Sequence, residues 1–141
     1  MTGSSRADLA AFCEALPEVV RGGTDERPTW SVHDKAFVFF REPRGDALDA
    51  DGSRLTDVIC IRTQGADDKA VLLDDETNPF FTTGHFNGYP AVLVRESRLD
   101  ELDRDLLQEV ITEGWLSRAP KRLAKTYLAT LAPVDSTDVE G

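Results

Sequence analysis

The chain has 141 residues, 40% of them hydrophobic and 30% charged, with a formal net charge of −10. That length fits one domain able to bury its own core, and no apolar run approaches the roughly 20 residues needed to span a bilayer. The acidity argues against a protein that holds nucleic acid over its whole surface, because such binders gain affinity by releasing counterions with Lys and Arg.

The excess charge is unevenly spread. Residues 42–57 carry five acids against Arg44 and Arg54, and residues 133–141 carry Asp135, Asp138 and Glu140. Each segment contributes −3, which leaves −4 for the remainder and room for a local basic face. The N-terminal MTGSSRADLAAF lacks the basic stretch and long apolar core of a secretory signal, so the expected location is cytoplasmic. Cys13 and Cys60 form no CxxC pair and sit within apolar patterns, as reduced core residues do.

In chain order, Ser5 and Asp8 read as a capping box, and Leu9, Phe12, Cys13 and Leu16 follow at helical spacing until Pro17. The polar stretch 18–27, with Gly22-Gly23, reads as a loop. Thr29–Val32 and Ala36–Arg41 read as strands, with His33-Asp34-Lys35 short enough to link a hairpin. Pro43, Gly45, Gly52 and scattered acids make 42–57 an expected exposed loop. Asp57–Thr63 alternates as a strand. Asp67 or Asp68 then caps an expected short helix through Leu73, with a strand as the alternative.

Asn78 to Glu96 holds four aromatics and an Asn87-Gly88 pair, the strongest short-range hairpin signal because both turn positions need positive φ. This predicts strands Phe80–Phe86 and Tyr89–Arg95, with Phe86 facing Tyr89. Asp100 is the expected cap of a helix bearing Leu102, Leu106, Leu107, Val110 and Ile111. Gly114 lies on the same arc and implies a close backbone approach or a frayed end. Pro120 suits the first turn of a last helix with apolar face Leu123, Ala124, Tyr127, Leu128 and Leu131. From Pro133 an acidic tail has no reason to fold. Consecutive strands on tight links mean antiparallel pairing: an α+β fold, an antiparallel β-sheet with helices packed on one face.

Three blocks carry a family resemblance. They are Leu16-Pro17 with Thr29–Phe37 (TWSVHDKAF), Phe80–Pro90 (FFTTGHFNGYP), and Trp115–Arg122 (WLSRAPKR). Together, over roughly residues 7–132, they resemble the YjbR/MmcQ family of small bacterial proteins, so 6–132 is expected to form one such domain. The resemblance implies a CyaY-like fold, similar to bacterial frataxin, and a suggested double-wing DNA-binding surface. It supplies no catalytic motif.

The residues themselves offer little catalytic chemistry. His33 and His85 are the two available imidazole bases, and neither a nucleophile turn nor a phosphate-binding loop is present. Cys13, His33, Cys60 and His85 lack zinc-ligand spacing. Asp46, Asp49, Asp51 and Asp57 lack the spacing of a calcium loop, although the frataxin-like fold keeps weak acidic-surface metal binding as an alternative. The expectation is therefore a non-enzymatic binding protein without a cofactor. Its expected site is Arg118, Lys121, Arg122 and Lys125, which at 100° per residue share an arc of about 100° beside the apolar stripe of the last helix. Lys35 and Arg41 are the strand residues that would join them. DNA is the expected partner, with self-association or an adaptor role as the alternative and no membrane role.

Overall fold

The computed structural model describes residues 3–43, 45, 47–83 and 88–131. The first helix, α1 (Arg6–Glu14), begins on the expected capping box: the Ser5 side chain accepts from the Asp8 N–H while the Asp8 carboxylate accepts from the Ser5 N–H. Such a cap contributes about 1 kcal/mol. Leu9 and Cys13, four residues apart, are fully buried.

Five strands follow the order β1-β2-β3-β4-β5, each antiparallel to the next. They are β1 (Val19–Gly23), β2 (Pro28–Val32), β3 (Lys35–Phe40), β4 (Val58–Arg62) and β5 (Ala91–Arg95). The first corrects the sequence reading, since β1 lies where a loop was expected. Its side chains are mostly exposed, and it is an edge strand held by backbone pairing to β2. A strand exposed in this way leaves no hydrophobic alternation to detect. Gly23 turns the chain at φ +75, where an added Cβ would strike the Arg27 carbonyl.

His33 and Asp34 link β2 to β3 at φ 48 and φ 68. Two successive positive-φ residues make the tight turn whose twist matches that of the strands. The later hairpin is different. A two-residue turn at Asn87-Gly88 would set Phe81 opposite Val94, but Phe81 and Leu93 exchange both backbone hydrogen bonds, at 2.8 and 2.9 Å. The pairing is one residue away from the expected register, and the first arm is a single bridge rather than a strand. Gly84, His85, Phe86 and Asn87 lie outside the described residues, as does the expected acidic tail.

Both faces of the sheet are covered. Ile59, Ile61, Val92 and Val94 join Trp30, Phe37 and the helices in one cluster. Val58, Cys60, Ala91 and Leu93 form a second with Ala47 and Leu55, and with Phe39 and Phe81 packed against them. The stretch 42–57 is therefore more than an exposed loop. Ala47 and Leu55 are buried, and Leu48 bridges Arg54 while Glu42, Asp49 and Asp51 stay outward. Two covered faces explain why β4 and β5 are apolar at four consecutive positions.

The helix α2 (Ala66–Asp74) forms as expected, with Gly65 at its N-cap and Asp67 and Asp68 in its first turn. A 3-10 turn occupies Glu96–Glu101, and Asp103, not Asp100, caps α3 (Arg104–Arg118) by accepting from the Asp105 and Leu106 N–H groups. Gly114 marks a close approach: a Cβ there would lie 2.7 Å from the Arg62 carbonyl oxygen. Beside it Trp115 is fully buried, donating to the Pro17 carbonyl at 3.1 Å. The last helix, α4 (Lys121–Leu131), rests on the domain through Leu123 and Tyr127, with Tyr127 edge-on to Trp115 at 5.0 Å. No residue of α4 is fully buried, and Leu128 and Leu131 are 49% and 57% exposed.

Candidate polyanion-binding edge

The N-terminal turns of α4 carry Lys121, Arg122 and Lys125, all exposed. Helical geometry sets the three within about 100° of arc. Arg118 does not share that arc, because it is the last residue of α3 and the chain breaks at Ala119 and Pro120 before α4 begins. It is half-buried, and its Nε is a buried donor without a partner.

Two acids of the preceding helix have other partners. Asp103 caps α3, and Glu113 accepts from the Gln64 side-chain amide at 2.7 Å. Among the described residues, no ion pair joins Arg118, Lys121, Arg122 or Lys125 to a carboxylate. Cations in the first turn of a helix oppose its macrodipole, at a cost of about 0.3–1 kcal/mol each. Helix stability therefore gives no reason for their placement.

Across from α4 stands the β2–β3 turn. Glu18, His33, Pro120, Arg122, Leu123 and Thr126 line a groove of about 540 Å³ between them. His33 Nε2 lies 2.6 Å from Glu18 Oε1, fixing the turn against the end of the α1–β1 connection. An adjoining hollow of about 470 Å³ continues past Glu18 and His33 toward Val20 and Ser31. Glu18, at φ 59, joins His33 and Asp34 as the described non-glycine residues with positive φ, so three left-handed conformations gather at this groove. Two of them serve the hairpin turn. Glu18 is strained without such a role, and nothing in its sequence context signals the strain.

Lys35 opens β3 directly after this turn and is exposed, two residues beyond the His33 that shares the groove with Arg122. Arg41 goes elsewhere. It is only 6% exposed, its N–H bonds the Val58 carbonyl, and it lies with Arg62 and Lys69 around Cys60 on the second sheet face. Its expected place on the binding surface is not where the fold puts it: the strand's alternation turns it beneath the 42–57 cover. The structure thus carries Lys121, Arg122 and Lys125 on one helix, Arg118 at the end of the helix before it and Lys35 at the start of β3, and sends Arg41 away.

The thiols are chemically quiet. Burial pushes the Cys60 thiol up to about 12, against the opposing pull of Arg62, Arg41 and Lys69. Burial, aided by Glu14, also raises Cys13 well above its ordinary value. Among the described residues, no group of three or more His, Cys, Asp or Glu side chains stands where it would hold a metal ion. The described acids of the alternative metal surface have local partners: Asp51 bonds Ser53, and Asp57 pairs with Arg95 at 3.0 Å. Among the described residues, no helix is long and apolar enough to cross a membrane.

Comparison with known proteins places this geometry in a family. An uncharacterised protein of Mycobacterium bovis, Mb2600, is 40% identical over 127 residues, covering 86% of this chain and 94% of its own. An uncharacterised protein of Mycobacterium tuberculosis, Rv2570, matches to the same extent. No solved structure matches. The YjbR family model matches residues 14–117, the sheet and most of α3, and stops just short of Arg118 and the α4 cations. The chain belongs to the YjbR family.

Proposed function

We propose that this protein is a non-enzymatic binding module that holds a polyanion, DNA in the first instance, along the N-terminal edge of α4. Lys121, Arg122 and Lys125 make the direct phosphate contacts, and Lys35 and Arg118 extend the edge on either side. The observation that carries this reading is the set of three exposed cations in one arc, with no carboxylate partner among the described residues. The quiet thiols support the non-enzymatic part, since a protonated buried thiol is a poor nucleophile.

Such a contact is electrostatic and carries no base readout, because phosphate contacts position a duplex without reporting its sequence. Affinity is therefore weak and salt-dependent. Three to five phosphate contacts predict a slope of about −2.7 to −4.5 for log K against log salt. Fluorescence anisotropy of a labelled duplex at about 50 mM salt, with protein in the tens of micromolar, reads this directly. Binding that is equal for duplexes of different sequence fits the account. No binding under those conditions contradicts it.

A further inference from the structure

A second stripe on the molecule mirrors the α4 edge. Leu106, Glu109 and Glu113 lie on α3 at positions i, i+3 and i+7, and helical geometry gathers them within about 60° of arc. Both glutamates are exposed, Glu113 accepting from the Gln64 amide at the surface and keeping its second carboxylate oxygen for a cation, and Leu106 is half-buried. Beside this stripe, Val71 and Leu72 of α2 complete an apolar groove of about 150 Å³ that has Asp68 as a third acid on its rim. Val71 is 69% exposed, and nothing in the described chain covers it.

On α4, Lys121, Lys125 and Leu128 lie at i, i+4 and i+7, also within about 60° of arc. Run antiparallel, the two stripes match: Lys121 meets Glu113, Lys125 meets Glu109, and Leu128 meets Leu106. The two intervals, four residues and then three, agree, so the outer pairs stand about 10 Å apart on both helices. Leu131 extends the apolar end of the α4 stripe toward the Val71 and Leu72 hollow. Within one chain α4 rests instead on the core through Leu123 and Tyr127, with Tyr127 against Trp115 near the end of α3.

We propose that α4 of one copy docks antiparallel on the α2–α3 groove of a second copy. The contact joins two different surfaces, and made reciprocally between two copies it forms a two-fold pair. Reciprocity matters physically: one helix in one shallow groove falls short of the about 1,200–2,000 Å² of a stable interface, and two such contacts approach it. The inference goes beyond the polyanion reading and shares Lys121 and Lys125 with it, so a polyanion and a second copy compete for the same edge.

Light scattering on the full chain, at about 100 µM protein and about 50 mM salt, tests it. The expected mass is twice 15.6 kDa, falling toward the monomer as salt is raised. The double reversal K121E/K125E should be monomeric, and so should E109K/E113K. Mixed in equal amounts, the two variants should recover the pair, because the reversed charges again face opposite signs across one of the two contacts. Far-UV circular dichroism checks that each variant is folded. A monomeric natural chain overturns the proposal, as does a dimer that both reversals leave intact or a mixture that fails to pair. Duplex binding distinguishes this failure from that of the polyanion reading, since E109K/E113K keeps the α4 cations and should still bind.

Discussion

Asp57 shows how much a single side chain can hold. Partial burial pushes its carboxyl up, but the Ser97 N–H and the Arg95 guanidinium bond it, and the balance leaves it below the ordinary value. A depressed carboxyl adds stability that is complete above the unfolded value of about 4 and is lost as pH falls through the folded value. Asp57→Ala should therefore lower unfolding stability by about 1–2 kcal/mol at pH 7, with the difference from the natural protein shrinking below pH 4. Urea unfolding at several pH values checks both the size and the sign. Gly114 is the second such residue. Its missing side chain lets α3 approach β4 until a Cβ would lie 2.7 Å from the Arg62 carbonyl, and neither neighbour is a flexible side chain. Gly114→Ala should cost about 1–3 kcal/mol, although alanine favours an isolated helix. Its appearance on the apolar arc signalled a close approach or a frayed end, and the fold decides for the first, whereas the strain at Glu18 left no mark in the sequence.

Elements were legible where hydrophobic period and punctuation agreed. The Ser5 cap, the strands around His33-Asp34, β4 and α3 follow from spacing, because their buried faces repeat, while α2 and α4 follow from the acids and the proline at their starts. Elements held mainly by backbone pairing escaped. Exposed β1 has no alternation to read, and the Phe81–Leu93 bridge sits one residue off the register that an Asn-Gly turn demands. The 42–57 segment misled for a related reason: its acids and glycines dominate its composition, while two small anchors, Ala47 and Leu55, do the covering. That cover has a measurable consequence. Leu55→Ala should open the second sheet face and speed the reaction of Cys60 with a thiol reagent by about tenfold or more, leaving Cys13, on the buried face of α1, unchanged. Mass-resolved labelling against time checks this, and equal rates in the two proteins would show that the loop does not guard the face. The candidate site was legible only along a helix. The cations of α4 follow from angular spacing, but Arg41 required knowledge of which sheet face was covered, and the pairing of Glu18 with His33 required the tertiary fold.

At the scale of the whole molecule, the difficulty is an electronegative body carrying a positive edge. A charge acts across about 10 Å at 0.1 M salt, so near that ionic strength a phosphate at α4 feels Lys121, Arg122 and Lys125 more than the distant acids. At much lower salt the screening weakens and the body's −10 begins to repel the same phosphate. The gain in affinity on dilution of salt should therefore level off below about 20 mM rather than continue along a straight line. The most direct measurement is duplex anisotropy across a salt series for the natural protein and for K121E/R122E/K125E, whose substitutions are on exposed positions and leave the core intact. Binding by the natural chain with a log–log slope of about −2.7 to −4.5, abolished in the triple variant, is the predicted result. Equal affinity and equal slope in the two proteins would place the contact elsewhere and contradict the account.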